Sequence, residues 1–459
     1  MIGAPRGLCS MEKFRWKGAP AMPCRTVARH SGAHLALAAR SEHEAEQKVV
    51  GVGSCGLDYL AVVARYPEKD TKLRTENLET QGGGNCANAL TAAARLGLSP
   101  YIVSKIGDDG IGDGIIAELN GDGVNTDYLI RAQGQPSPFT YIIVDREGGT
   151  RTCIHTPAAP LEASEISEAR IDELLAGAQL VYFDGRLAEA ALRIAQAARS
   201  KQIPILVEAE RLRPGLNDLL AHANYVISSA TFPQAWTGES NTADALLSML
   251  QRLPHAEWVV TTLGSRGSAF MQRAEMPADT KPQKVQQLMD SLWAKAESGG
   301  GTGSSADAPA CTTPDGIQIR VGTSAASDGP VLLTWTRDAS ELDAVGQRAE
   351  EAAAAAAVSN AETSRALEYN LQEASSSKAD PISASVVVAS AASIAKVAVV
   401  DTTGAGDAFI GSMLFGISTG LDPKRCLLLA AVVAATKCTA VGARSGLPYA
   451  DSIDSSLLH

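Results

Sequence analysis

Val397-Ala398-Val399-Val400-Asp401-Thr402-Thr403-Gly404-Ala405-Gly406-Asp407-Ala408-Phe409-Ile410 is the stretch on which the fold turns. An apolar run reads as a strand, a glycine-rich turn follows, and Phe409, Met413 and Ile417 then recur at the spacing of one buried helix face. Gly404, Ala405 and Gly406 therefore stand where a helix starts. Free N–H groups at a helix start point outward and attract anions, and glycine lets a phosphate come close to the backbone. Asp407 lies at the lip of the same turn. A carboxylate beside an anion site can accept the proton of an attacking hydroxyl, so turn and acid together supply what phosphoryl transfer needs. The plainer alternative is a strand-to-helix turn whose aspartate caps the helix. No Gly-Lys-Ser/Thr follows, so the turn is not a P-loop, and it is not a Gly-x-Gly-x-x-Gly turn after the first strand.

More than 300 residues upstream, Gly82-Gly83-Gly84-Asn85-Cys86-Ala87-Asn88 again sets glycines before an alanine-rich helix. Asn85 and Asn88 share one side of its first turn, and their amides suit sugar hydroxyls. An N-cap role for Asn85 is the alternative. Asp58 follows the glycines of the first strand and is within reach of a ligand, or is simply a solvated strand end. Between residues 180 and 262, strands alternate with helices, which predicts a mainly parallel sheet covered by helices on both faces. Residues 58–80 and 139–155 read as hairpins that break this pattern, and they predict a small separate β lid. Ordered sequence begins near residue 48 and runs to 450, with 451–459 as a tail. Residues 272–392, with Gly299–Ser305, Ala352–Ala357 and Ser375-Ser376-Ser377, show little apolar periodicity and read as a long low-complexity insertion.

A net charge of -11 argues against a nucleic-acid partner, and no apolar run is long enough for a membrane span. The 8 cysteines include no Cys-x-x-Cys pair, so they read as buried or free thiols. Residues 1–47 are rich in arginine and small residues and poor in acids. That composition suits a plastid or mitochondrial transit peptide better than a secretory signal. An unstructured tail on a cytoplasmic protein is the other reading.

Together, Gly83-Gly84-Asn85-Cys86-Ala87-Asn88 with Ala92–Gly97, and Asp401–Asp407 with Ala408-Phe409, resemble the PfkB, or ribokinase-like, carbohydrate kinases. The resemblance covers roughly residues 48–271 and 393–450. Leu57-Asp58, Arg65–Asp70 and Lys437-Cys438 look like the ketohexokinases. Ser137–Asp145, Thr150–His155 and Phe183-Asp184-Gly185-Arg186 look like an uncharacterised plant branch. The resemblance implies a three-layer α/β/α sandwich with a β lid, ATP as phosphoryl donor, and magnesium and potassium ions. It implies Asp407 as general base and the Gly404, Ala405 and Gly406 amides as anion hole. Asp58, Gly84, Asn85 and Asn88 would hold a sugar, joined by Asp70 from a partner subunit in a homodimer paired through the lid. Arg151 would meet the ATP phosphates, Gly264 and Gly267 would border the nucleotide, and Asp401 and Thr403 would bind the monovalent cation. The acid of the Asn-x-x-Glu segment of many relatives is missing from Ser228–Trp236, which leaves Glu208 and Glu210 as magnesium candidates. The implied activity is phosphorylation of a sugar, in the manner of a ketohexokinase or fructokinase. The alternatives are a nucleoside kinase, for which Tyr59, Tyr66 and Phe139 would have to wall a base, and a non-catalytic scaffold.

Overall fold

The computed structural model describes residues 47–148, 150–275, 282–298, 310–320, 325–334, 382–394 and 398–459. The basic N-terminus to residue 46 and the Gly299–Ser305 and Ala352–Ala357 runs lie outside the described residues.

The chain starts with β1 (Lys48–Val52), β2 (Gly56–Val63), β3 (Asn77–Gly83), α1 (Asn85–Leu96), β4 (Ser99–Gly107), α2 (Gly110–Gly121) and β5 (Asn125–Ala132). The hairpin β6 (Phe139–Asp145) and β7 (Thr150–Thr156) follows. The alternating segment is α3 (Glu168–Leu175), β8 (Leu180–Phe183), α4 (Ala188–Ser200), β9 (Ile205–Ala209), α5 (Leu216–Leu220), β10 (Tyr225–Ser228), α6 (Phe232–Thr237), α7 (Thr242–Arg252) and β11 (Trp258–Thr262). Then come β12 (Ser268–Arg273), β13 (Gln283–Lys284), α8 (Val285–Ser298), β14 (Cys311–Thr312), β15 (Gln318–Ile319), β16 (Ala325–Thr334) and β17 (Ile382–Ala389). Helices α9 (Ala405–Thr419) and α10 (Pro423–Lys437) close the described order, before two short 3-10 turns.

The main sheet has 11 strands in the order β13-β16-β17-β12-β11-β10-β9-β8-β1-β4-β5. From β11 across to β5 every pairing is parallel, and β12, β17 and β16 pair antiparallel. Central strands such as Leu180–Phe183 and Ile205–Ala209 are buried throughout, as strands covered on both faces must be. One core gathers Ile171, Ile194, Leu219, Leu246 and Leu288 from α3, α4, α5, α7 and α8. The other gathers Leu90, Ile115, Met413 and Leu429 from α1, α2, α9 and α10. The lid is a separate sheet of order β3-β2-β6-β7. Fold class and lid are as the sequence predicts.

Three local expectations are corrected. Residues 398–400 form no strand; Val399 and Val400 are 42% and 55% exposed, and the Val400 and Asp401 amides donate to the Cys438 carbonyl. The strand that precedes the glycine turn is β17, where Val386-Val387-Val388 pairs with β12 on one side and β16 on the other. Hence 272–392 is not wholly an insertion: β12 runs to Arg273 and β17 completes the antiparallel end of the main sheet. The tail is also packed, with Ile453 and Leu458 buried and the Asp454 amide bonded to the Ala310 carbonyl.

Candidate active site

The carboxyl ends of β1, β8, β9 and β11 lie along one edge of the main sheet, where ligands bind in open α/β sheets. Helix α9 starts at this edge from Gly404, its N-cap, with φ +75° and no side-chain cap. A Cβ on Gly404 would stand 2.7 Å from that of Ala443, so only glycine fits. The Ala405 amide is turned inward to the Thr402 carbonyl at 3.2 Å. Of the three amides expected to form the anion hole, that of Ala405 is thus engaged within the turn. A Cβ at Gly406 would meet no atom within 4 Å, so the backbone there faces open space.

Asp407 does not cap the helix. Its Oδ2 accepts a 2.8 Å hydrogen bond from Asn88 Nδ2, across 319 residues of chain. Gly411, one turn further along α9, makes this possible: a Cβ there would lie 2.4 Å from the Ala89 carbonyl of α1. The two helices can thus approach closely enough to bring Asn88 to Asp407. Burial drives the Asp407 carboxyl up to about 6; Asn88 pulls down, Glu210 and Asp184 push up, and Arg186 pulls down.

Asn85 is likewise no cap, because Gly84 is the N-cap of α1. The Asn85 amide donates to Ser54 Oγ at 3.1 Å, and its Nδ2 donates to Glu208 Oε1 at 3.2 Å. Tyr182 Oη donates to Glu208 Oε2 at 2.7 Å. Burial first, then the Asp407 and Asp184 charges, raise the Glu208 carboxyl to about 8. Asp58 faces the site from the lid at 9% exposure. Burial raises it to about 6 against the pull of a Thr140 hydrogen bond and the Arg444 charge. Arg151 reaches from β7 to donate to Thr403 Oγ1 at 2.7 Å, with Asp401 Oδ1 at 3.7 Å. Gly264 and Gly267 form the β11–β12 turn with φ +59° and +97°. Asp70 stands apart, exposed, at φ +60° in the β2–β3 connection.

Two expected ion sites fit poorly. Glu210 is held by three guanidiniums, of Arg211 at 2.6 Å, Arg213 at 2.8 Å and Arg186 at 3.3 Å. Glu208 is occupied by Tyr182 and Asn85. With their oxygens so engaged, the two carboxylates leave a magnesium ion little free coordination, and among the described residues no cluster of three or more His, Cys, Asp or Glu could hold a metal. Asp401 Oδ1 accepts from Thr403 N and Oγ1, and Oδ2 accepts from the Gly442 amide. The Asp401 carbonyl takes the fully buried Lys437 ammonium at 2.7 Å. Burial works to raise the Asp401 carboxyl, yet the Thr403 and Gly442 bonds and the Lys437 charge hold it below the usual range. This donor set matches a fixed ammonium better than a free monovalent ion.

The structure also brings in residues that had no assigned role. Asp184 accepts from Ser54 N and Oγ, both at 2.7 Å. Arg186 donates to Asn85 Oδ1 at 3.4 Å. Arg444, in the loop after α10, donates to Asn88 Oδ1 at 2.9 Å. For Asp184 and Arg186 the signal was their place just after a buried strand; Arg444 carries no local signal.

The chain matches the pattern of the pfkB family carbohydrate kinases over residues 46–289 and 340–450. It is 27% identical to the ribokinase of Bacillus subtilis over 200 residues, 41% of this chain and 66% of that enzyme. It is 24% identical to the ribokinase of Arabidopsis thaliana over 254 residues, 54% of this chain and 67% of that one. With the ketohexokinase of Mus musculus it shares 23% over 231 residues, 49% and 76% of the two chains. In fold it is similar to Arabidopsis thaliana ribokinase complexed with ribose and ATP: TM-score 0.57, 20% identity, 90% of this chain and 99% of that. Cryptococcus neoformans ribokinase in complex with ADP gives TM-score 0.56 at 15% identity, over 90% and 100%. By motif, fold and matched span, this chain belongs to the pfkB family of carbohydrate kinases.

Proposed function

We propose that the protein transfers the γ-phosphoryl group of ATP to a hydroxyl of a small sugar. The observation that carries this reading is Asp407: a buried carboxylate at the uncapped start of α9, oriented by an amide from the other glycine-rich helix start. Asp407 takes the proton of the substrate hydroxyl, and the alkoxide oxygen attacks the phosphorus in line. The Gly406 amide and the α9 dipole stabilise charge on the transferred group. Arg151 meets the phosphates, and the Gly264–Gly267 turn borders the nucleotide. Asp58, Asn85 and Asn88 line the sugar side, and the lid, closing over both, limits loss of the phosphoryl group to water. Ribokinases and a ketohexokinase stand together among the relatives, so ribose and ketohexose are equal candidates.

The nucleoside reading loses its aromatic wall. On β2 and β6, Tyr59 and Phe139 alternate away from Asp58 and Thr140 and pack edge to face with centroids 6.0 Å apart, next to Tyr141. Tyr66 is 47% exposed. A non-catalytic scaffold would have no use for several carboxylates buried at one edge, each costly unless paired. Leu57, Tyr59, Leu78, Tyr141, Ile143 and Ile154 share the outer lid face. We assign this face to a second copy of the chain, whose Asp70 would complete the sugar site.

Turnover of ATP with ribose, ketohexoses and nucleosides tests the function directly. Asp407→Asn should lower kcat by about 10²–10⁴-fold while ATP binding by calorimetry persists, because proton transfer alone is lost. Near-normal turnover of that variant, or turnover with nucleosides alone, would sink the proposal.

A further inference from the structure

Arg444 is buried at 2% exposure between the catalytic helices and the lid. Its Nε donates to Asn88 Oδ1 at 2.9 Å, its Nη2 to the Gly83 carbonyl at 3.0 Å, and its Nη1 to Glu118 Oε1 at 3.3 Å. Glu118 Oε1 also accepts from the Gly82 amide at 2.9 Å. Gln81 joins the same loop, taking the Arg444 amide and donating to the Val441 carbonyl. The last residues of β3, which lead from the lid into α1, are thus tied to the loop after α10.

An asparagine side chain has one accepting end and one donating end. Only the donating end suits a carboxylate; the carbonyl end would repel it. The Arg444 Nε–H supplies a donor to Asn88 Oδ1, and so it requires Nδ2 to face Asp407. With Oδ2 of Asp407 held, Oδ1 is left for the substrate hydroxyl. We propose that Arg444 is a positioning residue for the catalytic base: it fixes the Asn88 amide in the orientation that holds Asp407 ionised, and it links that orientation to the lid strand at Gly82-Gly83. This rests on the reading of Asp407 as base.

Other groups bear on Asp407: Asp184 and Arg186 after β8, Tyr182 on β8, Glu208 and Glu210 at the end of β9, Cys86 on α1 and Lys437 on α10. Arg444 makes none of its hydrogen bonds to these; its own charged neighbours are Glu118, Asp58 and Arg95, whose guanidinium donates to the Arg444 carbonyl at 2.8 Å. Its effect on Asp407 therefore runs through Asn88.

The test is the pH profile of kcat at saturating sugar and ATP. In Arg444→Met the acid limb should move up by about one unit, a tenfold loss below the limb that shrinks toward pH 9. The KM for ATP should stay unchanged. Asn88→Ala should move the limb by the same amount, and the double variant no further, because both remove one hydrogen bond. Arg444→Lys, which can still donate to Oδ1, should restore most of the limb. A folded Arg444→Met with an unmoved limb, or additive shifts in the double variant, would overturn the proposal. Should Arg444→Met not fold, Glu118→Gln decides: it should shift the limb by a smaller amount in the same direction, and an unshifted limb in a folded Glu118→Gln would overturn the proposal. Asp407→Asn measured alongside separates the two levels. Its near-normal turnover refutes the base itself, whereas its inactivity with an unmoved Arg444→Met limb refutes only the role of Arg444.

Discussion

Asp407 and Glu208 are both buried, and burial pushes both carboxyls up, Glu208 to about 8 and Asp407 to about 6. The Asp407 charge adds to the rise at Glu208. The acid limb of kcat should accordingly fall near pH 6, well above that of an ordinary aspartate; a limb below about 4.5 would contradict the environment found here. The same shift has a stability consequence. A carboxyl raised on folding favours the native state fully below its unfolded value, 4.5 for glutamate, and that support is lost as pH rises through about 8. Glu208→Gln removes the titration. Its melting temperature should exceed the wild-type value by a few degrees at pH 8.5, and the gap should shrink toward pH 4.5. Scanning fluorimetry at the two pH values checks this, and a gap independent of pH counts against it. The two glycine-led helix starts were legible as halves of one site, since each supplies a predictable first turn, but the hydrogen bond from Asn88 to Asp407 was not. Arg444, Glu118 and Asp184 were not legible, because their meaning lies in partners far along the chain: Arg444 meets Asn88 across 356 residues.

The helix after Asp401–Gly404 was readable from the spacing of Phe409 and Met413, both buried, but the strand before it was not. Two valine-rich runs compete there. Val386–Val388 finds neighbours on both sides, whereas the Val400 amide goes to the Cys438 carbonyl instead of a strand. Periodicity names an apolar run; it does not say which run reaches a partner first. Close helix packing was hidden for a similar reason. Gly411 reads as a weak point in α9, where alanine should help by about 1 kcal/mol. The contact decides otherwise, since the added Cβ would meet the Ala89 carbonyl at 2.4 Å and Ala92 Cβ at 2.5 Å. Gly411→Ala should therefore destabilise, by about 1–3 kcal/mol as overpacked sites do. It should also lower kcat, because Asp407 and Asn88 are pushed apart. Urea melts and steady-state rates check both; a more stable and fully active variant would show that α1 and α9 have slack between them.

At the scale of the molecule, one apolar surface stands exposed among the described residues. Tyr141 is 51% exposed, Ile154 54% and Leu78 61%, all on the outer lid face. An apolar patch of this kind on a lid marks an interaction site more often than idle surface. A net charge of -11 makes two copies repel in general, so they can meet only where charge is sparse. The named residues of the outer face are uncharged, while the inner face carries Asp58, Arg151 and Glu79. Asp70 stands exposed in the connection beside this sheet. Pairing of two lids would cover the apolar face and carry each Asp70 toward the other copy's sugar side. Tyr141→Glu with Ile154→Glu, both exposed and so harmless to the core, should convert a dimer into monomers in sedimentation velocity. If Asp70 acts across the pair, these monomers should bind ATP normally and lose kcat/KM for the sugar, and Asp70→Asn in the intact dimer should lose a similar amount. A wild-type chain that sediments as a monomer at tens of micromolar, or monomers as active as the wild type, would remove the second copy from the site and leave the lid face to a different partner.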